Sequence, residues 1–440
     1  MVPRNSRRSL VAIGAGGLAL SLALAGCTAG GSDSTEGGTS LTFLVDNGEA
    51  TVATAEALAD AFTAENPDIS IEVETRPQGA DGDNVVKTRL ATGEMDDIFQ
   101  YNSGSLMQAL SPDDTLVNLA DEAYVDKFDD NFVQSVSTDN GLYGVPMGQS
   151  MAGAVLYNKD IYEQLGLEIP TTWDEFIANS EAIKEAGVAA PIVQTYGDTW
   201  TSQLFVLGDF NNVLAENPDW AEEYTNNEAK YVDQPALAGF EHLQEAFEKG
   251  LFNEDFASAK YADGVSMVAT GEGAQYPMLT FAAGQLVTTN PEAADVVGTF
   301  PLPGPDASTN GLTVWMPTNT VYIPKSTEGD KLEAAKKFLE FLTTPESCDI
   351  QSEANAPQGP FVVEGCELPD DVPAMVSDLQ PYFDEGKTNL ALEFLSPIKG
   401  PALEQITVAV GSGITSAADG AAQYDEDVKK QAQQLGIEGW

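Results

Sequence analysis

The sequence offers one near match to a nucleophile motif and one histidine as a possible catalytic base. The run GQSMA at residues 148–152 imitates the Gly-x-Ser-x-Gly turn that exposes the nucleophile of serine hydrolases, but the second glycine is displaced to Gly153. Such an enzyme also needs a histidine base, and the only histidine, His242, lies in a helical pattern without a neighbouring motif. We therefore assign no catalytic residue from the sequence.

Metal and phosphate patterns are also incomplete. One histidine cannot form a His-Glu-x-x-His zinc site, and Asp81 with Asp83 is too short for a calcium loop. The run GEG at residues 271–273 lacks the Lys-Ser/Thr pair of a phosphate loop. We predict no metal and no cofactor. Among 69 acidic residues, however, a carboxylate pair for glycoside hydrolysis stays open as an alternative.

Composition and charge restrict the class of protein. The 440 residues are 42% hydrophobic and 8% aromatic, which is typical of globular proteins and sufficient for about two domains. The 69 acidic and 20 basic residues give a net charge of −49. Such a surface is well solvated and repels phosphates, so we predict no nucleic-acid partner.

The N-terminus has the pattern of an export signal. Arginines precede an apolar run at residues 10–24, which ends in Leu-Ala-Gly-Cys at Cys27. This tetrapeptide resembles the lipobox of bacterial lipoproteins and predicts a signal peptide at 1–26, cleavage before Cys27 and lipidation of its sulfur. A transmembrane helix is the alternative, but the run is shorter than the roughly 20 residues that span a bilayer. Arg7 and Arg8 match a twin-arginine signal only in part, so the export route stays open.

A tether and a cysteine pair follow from the same reasoning. Residues 27–40 are rich in Gly, Ser and Thr and predict a flexible tether behind the lipidated cysteine. Cys348 and Cys366 remain, and in an exported protein one leftover pair most simply forms a disulfide. Metal ligation is the weaker alternative, because two cysteines without histidine neighbours make an incomplete site.

Strand and helix patterns alternate from residue 41 onward. A strand at 41–45, a helix and an alternating strand at 69–73 predict a β-α-β unit in a mostly parallel sheet. Ligands of such sheets gather at the carboxyl ends of the strands. The polar or aromatic residues expected at that edge are Asp46, Asn47, Glu49, Tyr101 and Asn102.

The segment 144–176 joins two structural units. Its apolar run at 152–157 predicts a strand that is buried on both faces. Thr172 and Glu175 stand at capping-box spacing, which predicts that a helix begins there. Further along the chain, Tyr196 and Trp200 follow a strand at 191–193, and more aromatic residues stand between 262 and 315.

Several stretches together resemble one family. These are ENPDISIEV, ATGEMDDIFQY, YGVPM followed by LYNKDIYEQLGLEIPTTWDEF, the ADGVSMVA to QYPM run, VGTFPLPG and IPKSTEGDKLEAAKKFLEFLTTPE. They resemble the solute-binding proteins of bacterial carbohydrate ABC importers, the maltose-binding-like group, over nearly all of the mature chain. The resemblance implies an α/β fold of the periplasmic-binding-protein-like clamshell type, with two α/β lobes joined by a multi-strand hinge.

The same resemblance implies where the lobes lie. Lobe 1 would hold 41–147 plus 303–344, and lobe 2 would hold 150–298 plus 346–436. The chain would cross between the lobes near 146–153, return near 298–303 and cross again near 345. Pro146, Gly148 and Gly153 are then hinge candidates.

The resemblance also implies a binding protein rather than an enzyme. The implied ligand-binding residues are Asp46, Asn47, Glu49, Tyr101, Asn102, Gln149, Tyr196, Trp200, Tyr276, Met278, Phe281 and, on the first lobe, Trp315. Many relatives carry tryptophan where this chain has Phe281, and an aromatic residue where it has Gln100. The implied partners are a carbohydrate, the permease subunits of an ABC importer and, through Cys27, the outer face of a Gram-positive type cell membrane, with the protein a monomer. An exported lipoprotein glycoside hydrolase and a binding protein for a non-sugar solute are the alternatives.

Overall fold

The computed structural model describes residues 38–440. The predicted signal peptide, Cys27 and the tether up to residue 37 lie outside the described residues. We predicted a tether as far as Ser40, but Thr39 and Ser40 already pair with Ile69 and Ser70. The first strand therefore begins slightly before the predicted boundary.

The described residues form two larger sheets and one short hairpin. The strands in chain order are β1 (Thr39–Asp46), β2 (Ile69–Arg76), β3 (Ile98–Tyr101), β4 (Ser137–Thr138), β5 (Gly141–Leu142), β6 (Gly144–Pro146), β7 (Met151–Asn158), β8 (Ala190–Ile192), β9 (Gly273–Leu279), β10 (Val297–Pro301), β11 (Leu312–Trp315), β12 (Thr320–Tyr322) and β13 (Thr388–Leu390). The first sheet has the order β2-β1-β3-β12-β6, and the second has the order β13-β11-β7-β9-β8 with β10 beside β7. The hairpin pairs β4 with β5.

The first sheet begins as the predicted β-α-β unit. Strand β1 runs parallel to β2 and β3, with Phe43 opposite Val73 on one side and Ile98 on the other. Strand β12 runs antiparallel to β3 and β6. Because β1, β2 and β3 are parallel, their carboxyl ends meet at one edge of the sheet.

Strand β7 forms the centre of the second sheet. All of its residues are buried, which confirms the strand predicted at 152–157. One edge of β7 pairs with β9, while the other pairs first with β11 and then with β10. A strand with neighbours on both sides and helices over both faces needs a continuous apolar run, as this sequence has.

Nineteen α-helices surround the sheets within residues 38–440. They are α1 (Glu49–Glu65), α2 (Gly79–Thr92), α3 (Ser105–Gln108), α4 (Pro112–Thr115), α5 (Asp130–Ser135), α6 (Lys159–Leu165), α7 (Trp173–Ala186), α8 (Leu204–Leu207), α9 (Phe210–Glu216), α10 (Trp220–Thr225), α11 (Ala238–Glu248), α12 (Tyr261–Thr270), α13 (Ala282–Thr289), α14 (Gly329–Phe341), α15 (Pro345–Ala354), α16 (Ala374–Ser377), α17 (Gln380–Asp384), α18 (Leu403–Gly411) and α19 (Ala417–Leu435). None of these helices has the length and apolar character needed to cross a bilayer.

Helix ends and helix packing follow the sequence pattern. Thr172 and Glu175 form the predicted capping box at the start of α7, and Gly187 ends that helix in the left-handed region. Over the first sheet, the Phe62 ring of α1 meets the Phe338 ring of α14 edge-on at 5.2 Å. Both rings are buried, so they fix the two helices against the sheet.

Within residues 38–440, the chain crosses between the sheets three times. It leaves the first sheet after β6, returns between Trp315 and Thr320, and leaves again between Cys366 and Ala374. These last two crossings differ from the predicted ones near 298–303 and 345. Strand β11 pairs with β7 and so belongs to the second sheet, whereas α15 packs on α1 and so belongs to the first lobe. Trp315, expected on the first lobe, is therefore a second-lobe residue.

The cysteine pair is bonded. Cys348 in α15 and Cys366 form a disulfide, with Cα atoms 5.8 Å apart, which decides between the two predicted roles. Next to Cys366, Val363 forms a bridge with Phe128 of the first lobe. The disulfide therefore closes a loop within the first lobe.

A carboxylate and an imidazole lie buried together in the second lobe. His242 stacks on the Trp173 ring with centroids 3.9 Å apart, and its Nδ1 lies 3.9 Å from Asp209 Oδ1. Burial lowers the pKa of His242 to about 3. Burial raises the pKa of Asp209 to about 7, reinforced by Glu216 and opposed by a hydrogen bond from Asn212. Between about pH 4 and 6.5 the proton sits on Asp209 when folded and on His242 when unfolded.

Because the pair binds one proton in either state, its contributions to the pH dependence of stability cancel in this range. His242→Asn removes the histidine, and the folded state then binds the extra proton, so stability should fall as pH rises from about 4 to 7. Asp209→Asn leaves the histidine, and the unfolded state then binds the extra proton, so stability should rise from about pH 3 to 6.5. Relative to wild type, urea unfolding should show opposite slopes of up to about 1.4 kcal/mol per pH unit. Slopes of the same sign would contradict this protonation pattern.

Candidate functional site

A cavity of about 230 Å³ lies where the second sheet meets the crossing at residues 316–319. It is lined by Met151, Trp200, Gln203, Leu204, Leu207, Leu279, Phe281, Trp315, Thr318, Glu393 and Lys399. Three of these, Trp200, Phe281 and Trp315, are among the residues predicted from the sequence. The others are not among the predicted ligand-binding residues.

Aromatic rings form one wall of the cavity. The rings of Trp200 and Phe281 are 5.8 Å apart and tilted by 38°, and Tyr261 packs against both. Trp200 and Phe281 are half-buried, so part of each ring is accessible. A flat, partly exposed aromatic pair beside an apolar cavity can stack on a ligand ring.

Trp315 depends on the glycine of the neighbouring strand. Gly153 lies inside β7, and an added Cβ would come within 2.6 Å of Trp315 Cζ3. Its missing side chain therefore makes room for the indole ring. Gly153, a hinge candidate in the sequence, is paired with Thr313 on one side and Leu279 on the other.

Three predicted ligand residues lie in the core of the second lobe instead. Tyr196 packs edge-on against Phe256, and the Tyr276 hydroxyl is 2.6 Å from Thr195 Oγ1. Met278 is fully buried. Successive side chains of a strand point to opposite faces, and in β9 it is Leu279, not its neighbour Met278, that lines the cavity. The sequence pattern did not show which face of β9 was which.

The predicted polar edge of the first sheet exists, but the Asp46 side chain is hydrogen-bonded to neighbouring residues of that edge. Its Oδ1 accepts from the N–H of Gly48 at 2.8 Å and from Gln78 Nε2 at 3.0 Å. Asn47 and Glu49 are exposed beside it. Asn102 contributes its carbonyl oxygen, which accepts from the Tyr322 hydroxyl at 3.0 Å.

Gln100 connects this edge to the second crossing. Its Oε1 accepts from the N–H of Asp46 and from Arg76 Nη2, each at 3.2 Å. Its Nε2 donates to Asn319 Oδ1 at 2.9 Å and also approaches the carbonyl of Thr318, a cavity residue. The amide therefore holds the crossing at 316–319 against the ends of β1, β2 and β3.

Arg76 is the residue that the sequence reasoning missed at this edge. It is buried opposite Asp46 in the parallel register, and its guanidinium lies 5.6 Å from the centroid of the Tyr101 ring. Burial lowers the pKa of Arg76, while the charges of Asp46 and Asp83 raise it. Burial and Asp83 together raise the pKa of the fully buried Tyr101. A basic residue at a strand end, in a chain with few basic residues, was the available signal.

Glu393 and Lys399 were also missed. Both line the cavity, and Lys399 donates to the Glu393 carboxylate. Strand β13 precedes this pair, and Glu393 itself lies in a 3₁₀ turn at Leu392–Phe394. The irregular backbone at 391–400 carries both side chains to the cavity.

The first crossing contains the serine motif. The Ser150 hydroxyl donates to the carbonyl of Pro360 at 2.9 Å, and His242 lies in the core of the second lobe beside Trp173. The structure thus separates the two groups that a serine hydrolase would bring together. Gln149 is buried at this crossing, where its carbonyl is 3.4 Å from Gln358 Nε2.

Two mixed α/β lobes with a cavity where they meet define a two-lobed binding protein. Residues 46–347 match the family model described as bacterial extracellular solute-binding protein, and the chain belongs to this family.

Relatives and a solved structure extend this result. The multiple sugar-binding protein of Streptococcus mutans is 26% identical over 318 residues, which cover 71% of this chain and 73% of that protein. The melibiose/raffinose/stachyose-binding protein MelE of Bacillus subtilis is 23% identical over 348 residues, covering 74% and 76%. A solved chitin oligosaccharide binding protein superposes with a TM-score of 0.76 at 21% identity, covering 90% of this chain and 99% of that one. The structural match confirms the predicted clamshell fold class.

Gly148 at the first crossing has a φ of 137°, which residues with a side chain rarely adopt. An added Cβ would meet no atom closer than 4.0 Å, so the cost of a substitution there is backbone strain alone. We expect Gly148→Ala and Gly148→Asn each to lower the unfolding free energy by about 1–3 kcal/mol.

Gly187, with a φ of 64° and open space around it, is the matched control. Asparagine tolerates that left-handed region, so Gly187→Asn should cost less than Gly187→Ala in the same denaturation assay. If asparagine were equally well tolerated at Gly148, the unusual φ would not be required there.

Proposed function

We propose that this protein is the extracellular binding subunit of an ABC importer and that it captures a sugar or an oligosaccharide. The observation that carries the proposal is the cavity, where Trp200, Phe281 and Trp315 lie beside polar side chains. Aromatic faces cover the C–H side of a sugar ring, while charged groups and amides bond its hydroxyls. The relatives from Streptococcus mutans and Bacillus subtilis, a multiple sugar-binding protein and a melibiose/raffinose/stachyose-binding protein, support the same ligand class.

Binding would be coupled to closure of the two lobes. The second lobe supplies the aromatic wall, and the first lobe supplies the polar edge that holds Gln100 and Asn319. A ligand that touches both lobes stabilises the closed state by its higher affinity for that state. Asn47 and Glu49, exposed at the first-lobe edge, and Gln149 at the crossing remain our proposed contacts from that side.

Delivery would occur at the membrane surface. We propose that lipidated Cys27 and the tether at 27–40 hold the monomeric protein on the outer face of a Gram-positive type membrane, near the permease subunits. The lipobox pattern supports the anchor. The body itself performs no chemistry in this scheme.

Calorimetry tests the ligand class. The chain from residue 28 onward should bind at least one of melibiose, raffinose, stachyose and chitin oligosaccharides, with no release of hydrolysis products. Binding of amino acids or peptides in place of every sugar would contradict the proposal. Steady hydrolysis of a bound glycan would contradict it as well.

Trp200→Ala should weaken the binding of that sugar about tenfold or more, because a stacked ring and its buried area are lost. Tyr276→Phe is the control, since it removes a hydroxyl bonded to Thr195 in the core. The control should lower stability by about 1 kcal/mol and leave the affinity unchanged. Unchanged affinity in Trp200→Ala would assign the indole to the core instead.

A further inference from the structure

The Glu393–Lys399 ion pair is the charged feature of the cavity wall. The Lys399 side chain is 34% exposed and the Glu393 side chain is 16% exposed, so neither is fully withdrawn from the cavity. Both line the same space as Trp200, Phe281 and Trp315. An ion pair beside aromatic rings offers hydrogen bonds at the edge of a ring that stacks there.

The pair has unused hydrogen-bonding capacity. An ammonium group has three donors and a carboxylate has two acceptor oxygens. Within residues 38–440, Lys399 Nζ bonds only to Glu393 Oε2, and Glu393 Oε1 has no protein partner. Donors and an acceptor therefore remain for a ligand, and a sugar hydroxyl can serve as either partner.

The backbone on both sides of the pair is held in place. Gly104 of the first lobe packs so closely that an added Cβ would lie 2.5 Å from the carbonyl oxygen of Glu393. Near Lys399, the N–H of Ile398 donates to Ser396 Oγ at 3.2 Å, and Ser396 Oγ bonds to Thr225 at 2.8 Å. The two charged side chains therefore project from a fixed segment that touches the first lobe.

We propose that the Glu393–Lys399 pair makes the cavity selective for an uncharged sugar unit. This inference rests on the proposed sugar-binding function and specifies its ligand. Lys399 donates to one hydroxyl and Glu393 accepts from a neighbouring one, while the pair as a whole stays neutral. Glu393 would repel the carboxylate of a uronate, and Lys399 would repel the ammonium group of an amino sugar. Either would have to displace one partner and leave the other without its counter-ion, which is costly in a partly buried site.

Two variants test the two halves of the pair. Lys399→Met and Glu393→Gln should each weaken the binding of the neutral probes, namely melibiose, raffinose, stachyose and diacetylchitobiose, by about ten- to hundredfold, because charge-assisted hydrogen bonds are lost. Lys399→Met leaves a carboxylate, so it should gain affinity for chitobiose with charged amines. Glu393→Gln leaves an ammonium group, so it should gain affinity for digalacturonate.

The surface pair Lys387 and Glu385 provides matched controls. It lies in the same part of the chain, is more than half exposed and is not among the cavity residues. Lys387→Met and Glu385→Gln change the net charge equally and should alter neither neutral nor charged sugar binding. Thermal unfolding of all four variants separates selectivity from stability, since a general loss of structure would weaken all probes alike.

Several outcomes decide between the two proposals. If the wild-type protein binds no sugar at all, the proposed function and this inference both fall. If it binds a neutral sugar, and both cavity variants bind that sugar unchanged, only this inference is overturned. Wild-type affinity for the charged probes equal to that for the neutral ones would also overturn it, while the sugar-binding function would stand.

Discussion

At the crossing at residues 147–150, backbone N–H groups donate hydrogen bonds to two other segments of the chain. The N–H of Met147 donates to the carbonyl of Asn319 at 2.7 Å, and the N–H of Ser150 donates to that of Pro360 at 2.9 Å. Buried backbone groups need partners, so these three stretches must lie side by side. Gln100 adds a side-chain link from the first sheet to Asn319. These bonds, together with the apolar cluster that contains residues of both sheets, set the relative placement of the sheets and with it the cavity.

The cavity shows how strand ends build a binding site. Phe281 follows β9, Trp315 ends β11, and Glu393 and Lys399 follow β13. These residues are far apart in sequence and meet because their strands belong to one sheet. Gly153 in the central strand leaves the space in which the Trp315 ring lies. Apolar stacking surface and polar groups are then adjacent, which is the combination that binding a polyhydroxylated ring requires.

Charge is distributed differently inside and outside this protein. The net charge of −49 belongs largely to solvated side chains, where it favours solubility. Arg76 is buried opposite Asp46, the partly buried Glu393 pairs with Lys399, and between about pH 4 and 6.5 the folded protein holds a protonated Asp209 beside a neutral His242. An unpaired charge is expensive at low dielectric, so the interior is close to neutral although the surface is acidic.

The local patterns of the sequence were sufficient for the α/β class, the buried strand β7 and the capping box at Thr172, because short-range hydrogen bonding and burial determine these features. They singled out Cys348 and Cys366 as a pair, and the structure decided that the pair is a disulfide. The family resemblance supplied the clamshell. Three aromatic residues of the cavity, Trp200, Phe281 and Trp315, were among the ligand-binding residues that the resemblance implied.

The tertiary structure alone decided the rest. It placed Tyr276 and Met278 in the core, because strand alternation does not say which face meets the cavity. It moved the second and third crossings, because β11 and α15 are assigned by partners distant in sequence. It brought Glu393 and Lys399 to the cavity, because long-range contacts leave no local periodicity from which such residues could be recognised.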